Sequence, residues 1–257
     1  MENSQRIAIV TGGLQGIGLA IVQELSRQSV IVAIGARRGD DPDHCADDRE
    51  AIGKQGLIAH LDLHKTLSVE KFVDRVKHDI GCPDILVNAA GITHHHTICD
   101  HSDEEWDAVI NTNLSGLFRM IRACLPGMKK RKWGRILNIA STAARVADDT
   151  HGAYCASKAG LVGLTKAVAM EGAPCGATCL SISPGWVETD RLRKSALTIT
   201  SRTGRSQAEE IAIMAANSPQ NRLVQPQEIA AFAAFCCSEA AKGLTMEDIQ
   251  LNTGALW

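Results

Sequence analysis

Short apolar runs recur along the chain and alternate with longer segments of helical periodicity. The apolar runs occupy residues 6–10, 30–36, 57–63, 84–90, 135–141 and 178–184. They are rich in β-branched residues and apolar on both faces, which predicts strands of a parallel sheet that is covered on both sides. Between them, spacings such as that of Ile17, Ile21 and Leu25 place apolar side chains on one helical face. These segments are long enough to be crossover helices.

The repeated order of strand, helix and strand predicts an α/β fold. We expect a single doubly wound Rossmann-type parallel sheet of about seven strands, with helices on both faces. The 257 residues contain no Pro/Ser-rich linker, internal repeat or low-complexity tract. The interpretation therefore assigns residues 1–257 to one domain.

Charge and composition exclude several classes of function. The formal net charge is -2, so no strong field attracts nucleic acid or an anionic membrane. The first residues are polar and lead into a short apolar run that ends in glycines, which fits neither a signal peptide nor a membrane span. The nine cysteines include no CxxC pair, which is typical of free thiols in a reducing compartment. We therefore expect a cytoplasmic protein without nucleic-acid or membrane partners.

A glycine-rich segment, TGGLQGIG at residues 11–18, follows the first predicted strand and opens the first predicted helix. Gly12, Gly16 and Gly18 allow the backbone to turn sharply and to approach a ligand closely. The N-terminus of the helix then offers unpaired N–H groups to a phosphate. A tight turn without a ligand is the alternative interpretation of the glycines alone. Their place in a βαβ unit favours a dinucleotide site.

Tyr154 is the only tyrosine of the chain, and Lys158 follows it four positions later. If this segment is helical, the two side chains lie one turn apart on the same face, and the ammonium group is expected to lower the pKa of the phenol. Such a phenol can exchange a proton with the alkoxide that forms when a hydride reaches a carbonyl. Ser141, at the end of the preceding strand, is placed to hydrogen-bond the substrate oxygen.

From Thr11 to Gly254 the chain resembles the short-chain dehydrogenase/reductase family in its compact single-domain branch, and within it the 3-oxoacyl thioester reductases. The motifs that carry the resemblance are TGGLQGIG, LDL around Asp62, NAAG at 88–91, NIAS with YCASK, and PGWVET at 184–189. The resemblance implies an NAD(P)-dependent oxidoreductase that interconverts a carbonyl and a secondary alcohol. Its proton relay would consist of Asn113, Ser141, Tyr154 and Lys158.

The same resemblance implies which residues bind the cofactor. Asp62 would hold the adenine edge, Asn88 would stabilise the middle strand beside the cofactor, and Thr189 would bond the nicotinamide carboxamide. The full expected set is Gly12, Gln15, Gly16, Ile17, Gly18, Arg37, Asp62, Leu63, Asn88, Ala90, Gly91, Tyr154, Lys158, Pro184, Gly185, Val187 and Thr189.

The end of the second predicted strand bears on the choice between NADP and NAD. Arg37 and Arg38 come there before Asp40 and Asp41. A basic residue at this place accepts the extra phosphate of NADP, and the Arg37 guanidinium suits a bidentate phosphate contact. By resemblance, Gln15 stands where NADP enzymes often carry a second basic residue. We expect NADP and keep NAD open, with arginine–aspartate pairing as the alternative use of the two arginines.

The segment after the NAAG motif is rich in potential metal ligands: residues 93–101 read THHHTICDH. Neighbouring residues of an extended chain point to opposite sides, and no second cluster faces the run, so we predict no metal site. By resemblance this loop borders the substrate pocket. His94 in this loop is therefore a candidate substrate contact, with plain solvation as the alternative. His151, three residues before Tyr154, and Trp186 are further candidates, and capping of the helix is the alternative role of His151.

Two basic segments bear on the substrate. The segment at about 188–217 is expected to form a lid and carries several arginines. A second basic run, MKKRKWGR at 128–135, is expected to end the helix before the serine strand. Both runs suit an acidic acyl carrier protein or the phosphates of coenzyme A, although lysines at a helix end also complement its dipole.

The expected reaction is most like that of a 3-oxoacyl-(acyl carrier protein or CoA) reductase. A dehydrogenase of a sugar, polyol, steroid or other ring alcohol is the alternative, and a non-catalytic nucleotide-binding regulator is an alternative of another class. Two positions depart from the family pattern: Leu180 replaces the usual Asn of the sixth strand, and Thr253 precedes Gly254. Apolar helices around 113–125 and 156–170 predict a homodimer or homotetramer.

Overall fold

The computed structural model describes residues 5–39, 52–53, 55–147 and 149–255. Its strands are β1 (Ile7–Thr11), β2 (Ile31–Ala36), β3 (Leu57–His60), β4 (Ile85–Asn88), β5 (Gly134–Ile139), β6 (Ala177–Pro184) and β7 (Asp248–Leu251). They form one seven-stranded sheet in the order β3-β2-β1-β4-β5-β6-β7. Every neighbouring pair in this sheet is parallel. The prediction of a doubly wound parallel sheet is confirmed.

Helices connect the strands and cover both faces of the sheet. They are α1 (Gly16–Arg27), α2 (Thr66–Asp79), α3 (Asp103–Ile110), α4 (Gly116–Arg131), α5 (Gly152–Gly172), α6 (Asp190–Thr203), α7 (Gln207–Ala216) and α8 (Pro226–Cys236). Across the described ranges, no helix has the length and apolar character needed to span a bilayer.

The sheet divides the apolar interior into two layers. Alternate residues of β1 point to opposite faces, so Val10 packs with Ile21 of α1 and Ile229 of α8, whereas Ile9 packs with Phe72 of α2. The second layer also contains residues of α4 and α5. Helices on both faces explain why the strands are apolar throughout rather than on alternate residues.

The strand order turns at β1, which pairs with β2 on one side and with β4 on the other. The connection after β1 runs to one side of it and the connection from β3 to β4 returns to the other side. This reversal opens a crevice at the carboxyl ends of β1 and β4, where ligands of such sheets bind. The two ends are tied together, because Ala90 N donates a 3.2 Å hydrogen bond to Thr11 Oγ1.

The segment at 188–217 folds into helices α6 and α7, which pack against each other. Leu192, Ala196, Met214 and Leu223 form an apolar cluster of their own, separate from the two layers on the sheet. The helical pair therefore has a small core that does not depend on the sheet.

The basic run at 128–135 does not lie at the surface throughout. α4 ends at Arg131, and Arg135 belongs to β5, where only 2% of it is exposed. Its Nε donates a 3.3 Å hydrogen bond to Ser238 O, and its guanidinium lies 4.4 Å from the ring centroid of Trp133. The expectation that Arg135 presents charge to a carrier is therefore wrong, because the side chain is buried in structural contacts.

Candidate active site

A cavity of about 230 Å³ opens at the carboxyl ends of the central strands. Its walls come from the loops after β4, β5 and β6, from the start of α5 and from the first turn of α6. The predicted positions that line it are Ile17, Gly91, Ser141, His151, Tyr154, Lys158, Pro184, Gly185, Trp186, Val187 and Thr189. A wider groove beside Gln23, Arg27 and Ile52 lies away from these side chains. The smaller cavity is therefore the candidate active site.

The glycine segment forms the turn that the sequence predicts between β1 and α1. Gly12 has a φ of +68°, and a Cβ on it would lie 2.9 Å from the Cα of Ala90. A Cβ on Gly18 would lie 2.3 Å from Gly12 O. The exposed Gln15 is the N-cap residue of α1, and its side chain makes no capping bond. The close backbone packing leaves the first N–H groups of α1 directed at the crevice, which fits a pyrophosphate.

Ser141, Tyr154 and Lys158 meet at one wall of this cavity. Tyr154 and Lys158 lie one turn apart on α5, and Lys158 Nζ is 5.6 Å from the centroid of the phenol ring. The Ser141 side chain lies beside the phenol at this wall, and Ser141 Oγ accepts a 3.1 Å hydrogen bond from Ala143 N. Lys158 Nζ donates to Ile139 O at 2.7 Å. A hydroxyl pair with an ammonium beneath it can polarise a carbonyl oxygen and give it a proton.

The charge states of this group differ from the expectation. Burial raises the pKa of Tyr154, and this outweighs the opposing effects of Arg191 and of the Ser141 side chain. Burial lowers the pKa of Lys158 to about 7, and the nearby Arg191 guanidinium contributes to this lowering. The expected lowering of the Tyr154 pKa by Lys158 is therefore not found, because desolvation dominates both groups.

Asn113 lies in a wide helical turn, Asn111–Ser115, that joins α3 to α4. It is fully buried, and its Oδ1 accepts a 2.8 Å hydrogen bond from Ile92 N. Its Nδ2 donates to Ile92 O at 2.9 Å and to Ser157 Oγ at 3.1 Å. Such π-turns inside helices are frequent at functional sites. This one brings Asn113 to the loop after β4 and, through Ser157, to the turn of α5 that carries Tyr154.

A buried chain of side-chain hydrogen bonds supports the middle of the sheet. Asn88 Nδ2 donates to Asn138 Oδ1 at 2.8 Å, and Asn138 Nδ2 donates to Thr165 Oγ1 at 2.8 Å. Thr165 Oγ1 in turn donates to Leu161 O. The chain ties β4 and β5 to α5 beneath the cavity. Of these residues, only Asn88 was predicted to support the site. The signal for Asn138 was a polar residue inside the apolar run RILNIAS.

The residues expected at the adenosine end are spread over the ends of β2 and β3. Asp62 Oδ1 accepts from His64 N at 3.1 Å, and Oδ2 lies 3.2 Å from Lys65 Nζ. Burial raises the pKa of Asp62, but these contacts outweigh it and leave the pKa below its usual value. Leu63 is buried in the core, so only its backbone remains for a ligand. Arg37 is exposed.

The alternative pairing of the arginines at 37 and 38 with Asp40 and Asp41 lies outside the described residues.

The segment after β6 supplies the remaining wall. Thr189 is the N-cap of α6, where its Oγ1 accepts a 3.3 Å hydrogen bond from Leu192 N. A Cβ on Gly16 would lie 3.4 Å from the Thr189 methyl group, so this cap adjoins the glycine turn. Leu180 is buried in the apolar layer and does not line the cavity. The departure from the family pattern at Leu180 therefore lies in the core rather than at the cavity wall.

Successive histidines of the loop after β4 point to opposite sides of the backbone. His94 Nδ1 and His96 Nε2 lie 3.5 and 3.4 Å from Glu105 Oε1 on α3, on the side away from the cavity. His95 faces the other way, with its ring centroid 4.3 Å from that of His151 and its Nε2 3.4 Å from Ser195 Oγ. His95 thereby contacts two residues that line the cavity, His151 and Ser195, but neither His95 nor the predicted His94 is itself among the lining residues.

Glu105 gathers a third histidine, because His101 Nδ1 lies 3.8 Å from its Oε2. Three histidines of the loop therefore lie around one carboxylate of α3, a residue outside the run from which a metal site was judged. Even so, in the part of the chain that the structure describes, no group of three His, Cys, Asp or Glu residues is arranged to hold a metal ion. The eight cysteines of that part are free thiols.

Arg191 is a cavity residue that sequence reasoning placed only in the basic lid. It lies in the first turn of α6 and lines the cavity with Tyr154 and Lys158. Its Nη2 donates a short hydrogen bond to Gly91 O, in the loop after β4. Its direction into the cavity follows from the cap at Thr189, which a pattern of charges along the chain does not reveal.

The site combines the glycine turn, the crevice at the ends of β1 and β4, and the cluster of Ser141, Tyr154 and Lys158. These are the parts of an oxidoreductase that binds a nicotinamide dinucleotide. A family model described as short chain dehydrogenase matches residues 6–199. The chain belongs to the short-chain dehydrogenase/reductase family, whose enzymes act on CH–OH and C=O groups.

Individual relatives span nearly the whole chain. D-beta-hydroxybutyrate dehydrogenase of Cupriavidus necator is 37% identical over 98% of this chain and 95% of its own length. The 3-oxoacyl-acyl-carrier-protein reductase FabG of Escherichia coli is 35% identical over 99% of this chain and 98% of its own. A crystal structure of a single-substitution variant of actinorhodin polyketide ketoreductase with NADPH superposes with a TM-score of 0.93 at 33% identity, over 98% of this chain and 97% of that one.

Proposed function

We propose that the protein interconverts a 3-oxoacyl group and the matching 3-hydroxyacyl group, with NADPH as the preferred reductant and a thioester as the leading substrate form. The observation that carries this proposal is the contact between Tyr154 and Ser141 at the cavity wall, with Lys158 one turn below. The FabG relatives support the thioester, since their name describes reduction of a 3-oxoacyl group on acyl carrier protein.

Each side chain has a role that follows from its place. The cofactor, when bound, supplies the hydride. Ser141 orients the substrate carbonyl, and Tyr154 delivers the proton that the developing alkoxide needs. The phenol is suited to this direction, because its raised pKa keeps the hydroxyl protonated at neutral pH. Lys158 holds the wall of the site through Ile139 O, and Asn113 fixes the loop that carries Gly91.

The residues proposed to hold the cofactor run along the crevice from the glycine turn to Thr189. The first turn of α1 would take the pyrophosphate, and Asn88 would support the strand under the nicotinamide through Asn138. Arg37 supports NADP over NAD, because its exposed guanidinium stands at the end of β2, where the adenosine ribose of such sheets is bound. NAD remains the alternative.

The lid and a carrier surface form the second part of the proposal. Helices α6 and α7 would close over the substrate, since they have their own apolar cluster and contact the loop after β4 through Arg191 and Ser195. Lys130, Arg131 and Lys132 remain at the surface at the end of α4 and suit an acidic carrier. Arg131 also pairs with Asp84 at 3.3 Å, so part of this charge has a structural partner.

A homodimer or homotetramer is the proposed assembly. Trp106 on α3, Phe118 on α4 and Met170 on α5 are exposed large apolar side chains, and Met170 exposes 65% of its surface. Apolar residues of this size on neighbouring helices favour a second copy as the cover. The free thiols support the cytoplasm as the compartment. Sedimentation that finds a monomer at micromolar concentration would exclude the assembly.

The test of the function is a substrate panel with purified protein. A 3-oxoacyl thioester, its free acid, a ring ketone and a sugar are offered with NADPH and with NADH, and absorbance of the reduced cofactor is followed. We expect the thioester with NADPH to give the highest kcat/KM. Preference for the ring ketone or sugar would replace the proposal with the alcohol dehydrogenase alternative. Cofactor binding without turnover on any compound would favour a non-catalytic nucleotide-binding regulator.

A further inference from the structure

The place of Arg191 is unusual for an arginine on an exposed helix. Its backbone lies in the first turn of α6, yet its side chain crosses to the loop after β4 and donates to Gly91 O. A Cβ on Gly91 would lie 3.6 Å from Lys158 Nζ and 3.8 Å from Arg191 Nη1. The guanidinium and the ammonium therefore approach the same small stretch of backbone.

Among the described residues, the lining of the cavity around Arg191 carries positive charge and no carboxylate. Lys158 and Arg191 line it, and none of the described residues that line it is an aspartate or glutamate. By contrast, Arg193, two positions along the same helix, lies 3.4 Å from Glu188 Oε1. Arg205, in the loop before α7, lies 2.8 Å from Glu210 Oε1. Within the described chain, no carboxylate stands at ion-pair distance from Arg191.

A neutral carbonyl is a weak partner for a guanidinium. A carbonyl oxygen supplies no counter-charge, whereas a carboxylate or phosphate adds Coulomb attraction and accepts two parallel hydrogen bonds from the planar fork of arginine. The positive charge of Arg191 also repels that of Lys158: burial lowers the pKa of Lys158, and Arg191 lowers it further. An anion beside Arg191 would satisfy the guanidinium and reduce this repulsion.

We propose that Arg191 is the anion-binding residue of this cavity and that it exchanges Gly91 O for an oxygen of a bound carboxylate or phosphate. This inference rests on the proposed function for the identity of the ligands. One source of the anion is the pyrophosphate of the cofactor, because the cap residue Thr189 adjoins the glycine turn at Gly16. The other is a free carboxylate on the substrate, because Tyr154 shares the cavity with Arg191.

The experiment compares Arg191→Met and Arg191→Lys with Arg193→Met, which removes the same charge from an exposed position of the same helix. Circular dichroism first verifies folding. Quenching of tryptophan fluorescence then gives the Kd of NADPH, since Trp186 lines the cavity. Steady-state kinetics gives KM for 3-oxobutanoate and for its neutral methyl ester.

Loss of a charged hydrogen bond weakens binding by about 10-fold to 100-fold. If the pyrophosphate is the partner, the Kd of NADPH rises by this factor in Arg191→Met and less in Arg191→Lys. If the substrate carboxylate is the partner, KM rises for 3-oxobutanoate only, while the ester and the cofactor are unaffected. Arg193→Met should leave both quantities within about twofold.

An Arg191→Met protein with wild-type Kd for NADPH and wild-type KM for the acid would overturn the inference. Absence of wild-type turnover on both small substrates and on the 3-oxoacyl thioester would instead count against the proposed function, and the Kd of NADPH would then decide the role of Arg191 alone. If Arg191→Met does not fold, Arg191→Lys carries the same two comparisons. A smaller increase that disappears at high salt in both Arg191→Met and Arg193→Met would mean general attraction rather than a bound anion.

Discussion

Lys158 donates its ammonium hydrogen bond to the backbone oxygen of Ile139, 19 residues earlier in the chain. This 2.7 Å contact fixes α5 to the end of β5, on which Ser141 follows two positions later. The position of the Tyr154 hydroxyl relative to the Ser141 hydroxyl is therefore set by a lysine whose hydrogen bond goes to neither of the two oxygens. The residue is buried at a cost that its lowered pKa records.

Replacement of Tyr154 by phenylalanine should abolish proton transfer and leave the cavity intact. We expect kcat to fall by about 100-fold to 10,000-fold, because the variant removes the group placed to protonate the alkoxide. The Kd of NADPH should stay within about twofold, since the ring remains. Single-turnover reduction of a 3-oxoacyl substrate measures the first quantity, and fluorescence quenching measures the second. Turnover near the wild-type rate would exclude Tyr154 as the donor.

The raised pKa of Tyr154 predicts different pH profiles for reduction and for oxidation. Reduction needs the protonated phenol, which burial preserves through neutral pH, so the rate of reduction should be flat between about pH 6 and 8. Oxidation of the alcohol needs the phenolate, whose population rises about tenfold per pH unit below the pKa. The rate of oxidation should therefore climb through the same range. A flat oxidative profile in single-turnover experiments would contradict this assignment.

Replacement of Lys158 by methionine should stabilise the fold while destroying activity. The folded-state pKa of about 7 lies below the unfolded value of 10.5, so unfolding takes up a proton at neutral pH. The residue therefore costs stability below its unfolded pKa, and the cost shrinks as pH rises from 7 toward 10.5. We expect a gain of about 0.5–2 kcal/mol at pH 7 that decreases at pH 9.5.

Urea unfolding of wild type and Lys158→Met at both pH values checks the sign. An equal gain at the two pH values would show that packing, rather than charge, determines the difference. Ser141→Ala serves as the comparison, because it removes an activity-related hydroxyl without changing a buried charge.

Arg37→Asp should shift the cofactor preference from NADPH toward NADH. The carboxylate repels the extra phosphate and accepts hydrogen bonds from ribose hydroxyl groups. We expect the ratio of the Kd for NADPH to the Kd for NADH to rise by about 10-fold or more. Arg38→Asp, at the neighbouring exposed position, is the matched comparison. If both variants keep the wild-type ratio, the phosphate is recognised elsewhere.

Gly18→Ala should disrupt the turn that holds the start of α1. The added Cβ would approach Gly12 O to 2.3 Å, and a backbone oxygen cannot move aside cheaply. We expect a loss of about 1–3 kcal/mol of stability and a cofactor Kd raised by at least about 10-fold.

Gly163→Ala is its control, because a Cβ there meets nothing within 4 Å in the middle of α5. It should gain about 0.5–1 kcal/mol, since alanine loses less entropy than glycine in a helix. If Gly18→Ala retains wild-type melting temperature and Kd, the close contact is not required for the site.

The sheet, the glycine turn and the cluster of Ser141, Tyr154 and Lys158 could be predicted because each depends on short-range spacing. Apolar runs define strands, and positions four apart on a helix share a face. The charge state of Tyr154 could not be predicted this way, since it is determined by burial. Nor could the direction of Arg191, which depends on how Thr189 caps α6.

In the histidine loop, too, one feature follows from short-range spacing and another depends on tertiary contacts. Alternation predicts that His94 and His95 point to opposite sides, and they do. Which of them contacts the residues of the cavity wall depends on where the loop pairs, and the loop forms a backbone bridge between His96 and His151. The contacts of Glu105 with three histidines join residues only 4 to 11 positions apart. Two of them still depend on how the loop turns into α3, which periodicity along the sequence does not reveal.

The place of β1 at the turning point of the strand order has a consequence for synthesis of the chain. Ile7 N donates to Asp84 Oδ2, 77 residues away, and β1 pairs with β4 along its length. A ribosome must therefore release the first third of the protein before its earliest strand finds the second neighbour. Until then one edge of β1 presents unpaired backbone groups, and the apolar runs that make the finished sheet are at their most prone to aggregate.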